Sequence, residues 1–300
     1  MAFQSGAAVA QLSLRHIQVL VVMTIVWGMN WPVMKYAVNQ YPPLAFRTLC
    51  MILGVVCLWG IARLLNVSLR VPKALIGKVM LLAIPNMIGW HLLCILGVSQ
   101  LSSGRAAILG YTMPVWAVLA GVAWGQGVSG RGWVALSLSM VAMMLLLASE
   151  LNALTGNPLG VITMACAAAS WGLGTAMVRQ FTTGLHPLAF THAMLLPTIV
   201  AMGVASLVFE GTAHGLPQDW SIWWPVLYNA VGVFAFCQVG WFFLASTLPP
   251  IASSLSVMFI PIVGVASGVV ALREPVLWTD LTALGLILAS MSLVLLAKKK

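Results

Sequence analysis

The side chains of this chain best suited to hold a small molecule are amides and aromatic rings set deep inside long apolar stretches. Trp27, Asn30 and Trp31 come first, at a spacing of i, i+3, i+4 that turns all three to one helical face, with an amide between two indoles. Asn86 and Trp90 follow at i, i+4, with Met87 and His91 on the adjoining stripe. Tyr111, Trp171, Tyr228, Asn229, Gln238 and Trp241 lie at comparable depths. A side-chain amide donates and accepts at once, while indole and phenol rings add an apolar wall, a polar tip and a face that attracts ammonium groups. These residues are the candidate lining of a cavity for a small solute.

Each has a blander alternative. An aromatic ring also serves as interhelical packing or as part of an interfacial belt. His91 is either a titrating coupling group or a neutral ring hydrogen-bonded across helices. Gln238 and Trp241, at i, i+3, either line the cavity or tie the eighth and ninth spans together. For Asn30 and Asn86 the functional reading is preferred, because a buried amide without a task is costly.

The elements that must position these groups follow from composition. A chain that is 61% hydrophobic and 6% charged lies far outside the soluble range. A bilayer core of about 30 Å takes about 20 apolar residues per helix. Ten such spans are predicted near residues 17–38, 44–64, 75–98, 103–124, 131–149, 158–180, 186–209, 222–246, 250–272 and 277–297. Links such as Asn39 to Pro43 and Leu248 to Pro250 are short, so successive helices must be antiparallel neighbours. The apolar stretch after Met1 to His16 is too long and too Trp-rich for a cleaved signal peptide, and is read as the first span. The fold class expected is an all-α integral membrane protein with ten transmembrane helices.

A net charge of +9 suits nucleic acid only if the basic residues form a surface stripe, and here they sit at the edges of apolar runs. The partners expected are the lipid bilayer and a small-molecule solute, with no nucleic acid. Arg15, Arg63, Arg70, Lys73, Lys78, Arg131, Arg179, Lys298, Lys299 and Lys300 fall on one side, and Lys35, Arg47, Arg105 and Arg273 on the other. The positive-inside rule then puts both termini in the cytoplasm of a multi-pass inner (plasma) membrane protein. On that orientation Glu150, Glu210, Asp219, Glu274 and Asp280 all fall at or near the outer face, which leaves no acid at the membrane centre and points to flux down the solute gradient. Lys35 and Arg179 are expected to snorkel to headgroups. Arg47 and Arg105 are expected to meet lipid or backbone, with attraction of a carboxylate at the outer mouth as the alternative. His192 falls nearer the cytoplasmic end of its span, and His16, His186 and His214 are terminal or in loops. Cys50, Cys57, Cys94, Cys166 and Cys237 fall inside spans without ligand spacing and are expected as buried packing residues. No metal or cofactor is expected. Neither H-E-x-x-H nor G-x-S-x-G is present, and an enzyme is not expected.

Comparing the chain with itself is more informative. Pro43-Leu44-Ala45-Phe46 returns as Pro187-Leu188-Ala189-Phe190, 144 positions later. The same offset carries Trp27-Gly28 onto Trp171-Gly172 and Lys35 onto Arg179. Offsets of 143 relate Asn86 to Asn229 and Gly89 to Gly232, and offsets of 147 relate Pro114 to Pro261 and Gly121 to Gly268. Residues 1–150 and 151–300 thus read as two five-helix repeats. An odd number of spans inverts the second copy, so a pseudo-two-fold axis lies in the membrane plane and the site is expected near the midplane between the halves. Pro32, Pro85, Pro114, Pro197 and Pro261 each remove a helical hydrogen bond and are candidate hinges. The G-x-x-x-G patterns Gly121 to Gly125 and Gly264 to Gly268 are explained by close helix packing, with a monomer or weak homodimer expected.

These segments resemble the drug/metabolite transporter superfamily, specifically its EamA-type ten-helix exporters, over nearly the whole chain. The resemblance is carried by Trp27-Gly28, by Pro43 to Arg47, by Ala106 to Gly121 with Pro114, and by Ser253 to Gly268 with Pro261. Leu272-Arg273-Glu274-Pro275, followed by Gly285, resembles the family's Glu-Pro turn into its last helix, whereas Gln126 and Gly127 stand where many relatives carry an acid. The many tryptophans make the chain most similar to exporters of aromatic and other neutral amino acids, the YddG kind. The resemblance implies export of small neutral or amphipathic metabolites, amino acids including aromatic ones, by alternating access around a midplane cavity. Asn with Trp and Tyr then offers acceptors for an ammonium, donors for a carboxylate and an apolar wall. The alternatives are a broad-specificity drug exporter and a non-transporting membrane sensor or scaffold.

Overall fold

Ser13 starts the first helix ahead of the apolar stretch. Its hydroxyl accepts from the His16 backbone N–H at 3.3 Å while the His16 ring accepts from the Ser13 N–H at 3.2 Å, a reciprocal cap. Span one is therefore Leu14–Val38, a turn longer than hydropathy alone predicts. The computed structural model describes residues 13–295 other than 126, 154–155, 182, 214 and 248–249. Within its helices the side chains of 179, 242–243, 245–247, 250–257 and 295 are not described. Gln126, His214, the Leu248 to Pro250 link, the side chains of Arg179 and Ser253, and Lys298, Lys299 and Lys300 lie outside the described residues.

Spans two to five are Pro43–Leu64, Lys73–Gln100, Ser103–Ala123 and Gly130–Asn152. Spans six and seven are Pro158–Gln180 and Pro187–Phe209. Span eight joins Trp220–Leu227, Tyr228–Cys237 and Gln238–Thr247, and spans nine and ten are Pro250–Leu272 and Trp278–Leu295. Eight helices are long and apolar enough to cross a membrane, and Met258–Leu272 and Trp278–Val294 are shorter apolar helices among the described residues. The chain is an all-α membrane protein of ten helices. Span four breaks at Tyr111 and Thr112 into Ser103–Gly110 and Met113–Ala123, where Pro114 opens the second piece.

Contacts between the halves come in mated pairs. Span one lies on span nine as span six lies on span four, two on eight as seven on three, and three on six as eight on one. Spans two and seven, four and nine, and five and ten each meet their own counterparts. A two-fold axis relating inverted repeats requires this pattern. Glycines set the closest crossings. A Cβ on Gly28 would lie 2.4 Å from Val263 in span nine, and one on Gly172 would lie 2.5 Å from the Trp116 Cβ in span four. Gly264 and Gly268 are as tightly faced, by Ala107 at 2.9 Å and Ser103 at 2.4 Å. Gly125 departs from the packing expectation. It stands in open space at φ +75° and ends its helix in the left-handed conformation that suits glycine. Cys50, Cys94 and Cys237 are buried as expected, whereas Cys57 is half-buried and Cys166 is exposed on its helix.

One end of the bundle is stitched by carboxylates. Glu210 accepts from the Leu44 and Ala45 N–H groups at 2.7 and 2.8 Å, which caps span two. Glu274 accepts from the Ser103 and Gly104 N–H groups at 2.7 and 3.2 Å, which caps span four. A carboxylate is favoured at these positive helix ends. Arg105 is buried and forks between Glu150 and Asp280, with its Nε donating to Asp280 Oδ1 at 2.7 Å. That replaces the expected lipid or backbone contact. Lys35 does not snorkel either, since its Nζ donates to the Val98 and Ser99 carbonyls at 3.2 and 3.0 Å, closing the end of span three.

Candidate functional site

Both repeats interrupt the α-helical ladder at the same place. Ile84–Gly89 in span three and Tyr228–Cys237 in span eight are π-helical, and they hold Asn86 and Asn229, the two amides related by the repeat. Such widened turns are frequent at functional sites. Proline starts each: Pro85 has no N–H to give, and Pro225 sits in the turn before Tyr228. Asn229 Nδ2 donates to the Pro225 carbonyl at 3.0 Å. Each widened turn is then tied to the first span of the other half. Ser170 Oγ donates to the Pro85 carbonyl at 2.8 Å, and Tyr228 Oη donates to the Val26 carbonyl at 2.6 Å. Gly174 lets span six press on Asn86, where a Cβ would meet the Asn86 backbone at 2.7 Å.

The centre is organised by a residue that sequence reasoning left at the outer mouth. Arg47 lies one turn inside span two and is 4% exposed. Its Nη1 donates to Asn229 Oδ1 at 2.7 Å and its Nη2 lies 2.9 Å from His91 Nδ1. A guanidinium only donates, so His91 Nδ1 accepts and the contact specifies a neutral ring protonated on Nε2. The Arg47 Cζ stands 4.9 Å from the centre of the Phe234 ring, and Met34 Sδ is 3.7 Å from Nη1. Among the described residues the ion pairs are those of Arg105, and none reaches Arg47. The signal in the sequence was a broken symmetry: an offset of 144 sets Arg47 against Thr191, a cation against a hydroxyl inside otherwise matching segments.

Two tryptophan pairs span the halves. Trp27 of span one meets Trp241 of span eight at 6.3 Å between rings, and Trp90 of span three meets Trp171 of span six edge-on at 5.4 Å. The other candidates separate. Trp31 is wedged against Tyr111 at 6.3 Å and against Gly110 and Gly264, filling the crossing of spans one, four and nine. Gln238 donates to Thr191 Oγ1 at 3.4 Å and Trp241 meets Trp27, so among the described side chains these two tie span eight to spans seven and one. Asn30 is buried, and its Oδ1 has no hydrogen-bond partner among the described residues, a condition that buried polar atoms rarely tolerate.

This arrangement, ten helices in mated halves around a polar centre, has known counterparts. The model of the EamA-like transporter family matches residues 14–148 and again residues 158–296. The uncharacterized transporter YoaV of Bacillus subtilis is 22% identical over 261 residues, covering 86% of this chain and 88% of its own length. The uncharacterized inner membrane transporter YedA of Escherichia coli is 23% identical over 280 residues, covering 93% and 90%. A solved crystal structure shares the fold with a TM-score of 0.64 at 17% identity, over 94% of this chain and 96% of that one. With both halves matched by one family model and the interlocked helices that such a repeat demands, the chain belongs to the EamA-like transporter family.

Proposed function

We propose that this membrane transporter exports small neutral or amphipathic metabolites, amino acids and aromatic ones among them, by alternating access about the polar centre between its halves. The observation that carries the reading is the mated pair of π-helical turns holding Asn86 and Asn229, in spans that also carry tryptophan pairs crossing between the halves. A helix that is already widened and kinked by proline changes shape more readily than a regular one, and rocking of one repeat against the other is how inverted-repeat carriers work. The two repeats are taken as residues 1–150 and 151–300, in an inner membrane with both termini cytoplasmic. Single cysteines near Gly156 and Gly215 are then expected to react with an impermeant maleimide from outside, and those near Lys73 and Gly184 only from inside. Labelling of Gly156 and Lys73 from one side would reject this topology.

The transport mode follows from the charges. Glu150, Glu210, Glu274 and Asp280 are engaged at the bundle end, and His91 is held neutral by Arg47. That leaves facilitated diffusion as the mode. In proteoliposomes, labelled phenylalanine is expected to exchange in counterflow and to equilibrate, without accumulating when a pH gradient is imposed. Asn86→Leu, which removes one hydrogen bond to the solute, is expected to slow exchange roughly 10-fold with little loss of folded protein. Exchange of cationic drugs but not of amino acids would move the solute class to drugs. Gradient-driven accumulation that His91→Gln abolishes would replace uniport with proton antiport.

A further inference from the structure

We infer that Arg47 is the subsite for the solute's carboxylate, an anion-binding position at the centre of the membrane. The inference deepens the proposed function and rests on its reading of the centre as the solute site. Arg47 is 4% exposed and carries a full charge. The acceptors it finds, Asn229 Oδ1 and His91 Nδ1, are neutral, so its hydrogen bonds are partly met while its charge is not. A buried cation without a counter-charge is costly, and the cost is relieved when an anion arrives. Of the five N–H donors on a guanidinium, those aimed at Asn229 and His91 hold the group in place and leave others for a carboxylate.

A second observation points to the same spot. Val26, Asn30 and Met34 lie four residues apart along one stripe of span one. Val26 offers its carbonyl to Tyr228, next in the chain to Asn229, and Met34 touches Arg47. Asn30 lies between these two anchors, about 6 Å along the helix axis from each. Its Oδ1 is the buried side-chain atom that lacks a partner among the described residues. An open acceptor on the stripe of span one whose Met34 touches Arg47, together with a cation that has no counter-charge among the described residues, complements a molecule that carries an ammonium and a carboxylate on adjacent atoms. The tryptophan pairs that cross between the halves then offer aromatic walls to its side chain. The charge decides orientation and the rings decide size.

Matched acids and amides test this without requiring transport. Binding to purified protein is followed by tryptophan fluorescence and thermal shift for phenylalanine against phenylalaninamide, methionine against methioninamide, and phenylacetate against phenylacetamide, with sodium chloride as an inorganic arm. The acid of each pair is expected to bind about 10- to 100-fold more tightly than its amide, the factor of a charge-assisted hydrogen bond. Arg47→Gln is expected to erase that preference. Asn229→Asp tests the same point in a variant that keeps the shape and supplies an internal counter-ion, and it too is expected to erase the preference while leaving the melting temperature equal to or above wild type. Equal binding of acids and amides by the wild-type protein, or an unchanged acid preference in Asn229→Asp, overturns the inference. Stabilisation by chloride as strong as by the organic acids overturns the assignment to a solute carboxylate. Phenylalanine counterflow reports separately on the proposed function, so acid-selective binding without exchange rejects transport of that solute and leaves the subsite standing.

Discussion

Gly172→Val is expected to leave almost no folded protein. A Cβ at Gly172 falls 2.5 Å from the Trp116 Cβ, 2.7 Å from the Ala117 nitrogen and 2.8 Å from the Met113 carbonyl oxygen. Two of those three atoms belong to the backbone of span four, which cannot move aside as a side chain can. Its repeat mate Gly28 faces mainly the Val263 side chain, so Gly28→Ala is expected to be milder. Within a bilayer, helices gain nothing from leaving one apolar medium for another and associate through close packing. A forced separation of spans four and six therefore removes most of what holds them. Overpacking ordinarily costs about 1–3 kcal/mol, and a backbone clash exceeds that range. Gly77→Val is the control, since nothing lies within 4 Å of a Cβ there. Size-exclusion profiles of the detergent-solubilised variants are the measurement. A monodisperse Gly172→Val protein with wild-type melting would refute the close-packing account.

Much of this scaffold is legible in the sequence because its signals are local. Hydropathy locates the ten spans to within a few residues, since the bilayer imposes one length on all of them. The offsets of Trp27-Gly28 and Asn86 already pair the elements that the folded chain mates across the halves. What is not legible depends on which way a side chain turns. Lys35, Arg47 and Arg105 all read as edge cations, because their positions near span ends are indistinguishable from those of snorkelling residues. One caps a neighbouring helix, one hydrogen-bonds to Asn229 and His91 and one bridges two acids, and each outcome depends on partners 44 to 182 residues away in the chain. The π-helical turns are hidden for a different reason. Proline explains where the ladder is interrupted, but the bonds that tie each widened turn to the opposite half, Ser170 to the Pro85 carbonyl and Tyr228 to the Val26 carbonyl, join residues 85 and 202 positions apart.

Arg105 is where that long-range design has its largest electrostatic stake. Its Nε donates to Asp280 at 2.7 Å, Nη1 pairs with Glu150, and Nη2 donates to Ser149 Oγ at 3.0 Å, so one guanidinium joins spans four, five and ten. Glu150 also accepts from the Asn157 N–H at 2.7 Å, which draws in the start of span six, and Asp280 accepts from the Leu277 N–H at 2.8 Å. Arg105→Gln removes the cation and leaves two carboxylates, 8% and 6% exposed, facing each other without a counter-charge. Breaking a buried pair from one side costs about 3–5 kcal/mol, and this cluster lies at the membrane end near water, so a loss on the order of 3 kcal/mol is expected. Either single neutralisation, Glu150→Gln or Asp280→Asn, is expected to cost less, because the guanidinium keeps one acid. Arg105→Lys is expected to fall between wild type and Arg105→Gln, since an ammonium supplies the charge without the planar fork that reaches both acids and the serine. Melting of the four purified variants ranks them, and raising the salt concentration is expected to leave the order unchanged because buried pairs are little screened. Arg105→Gln melting within the error of wild type would mean that the fork holds nothing together, and that the close-packed glycines alone determine how these spans assemble.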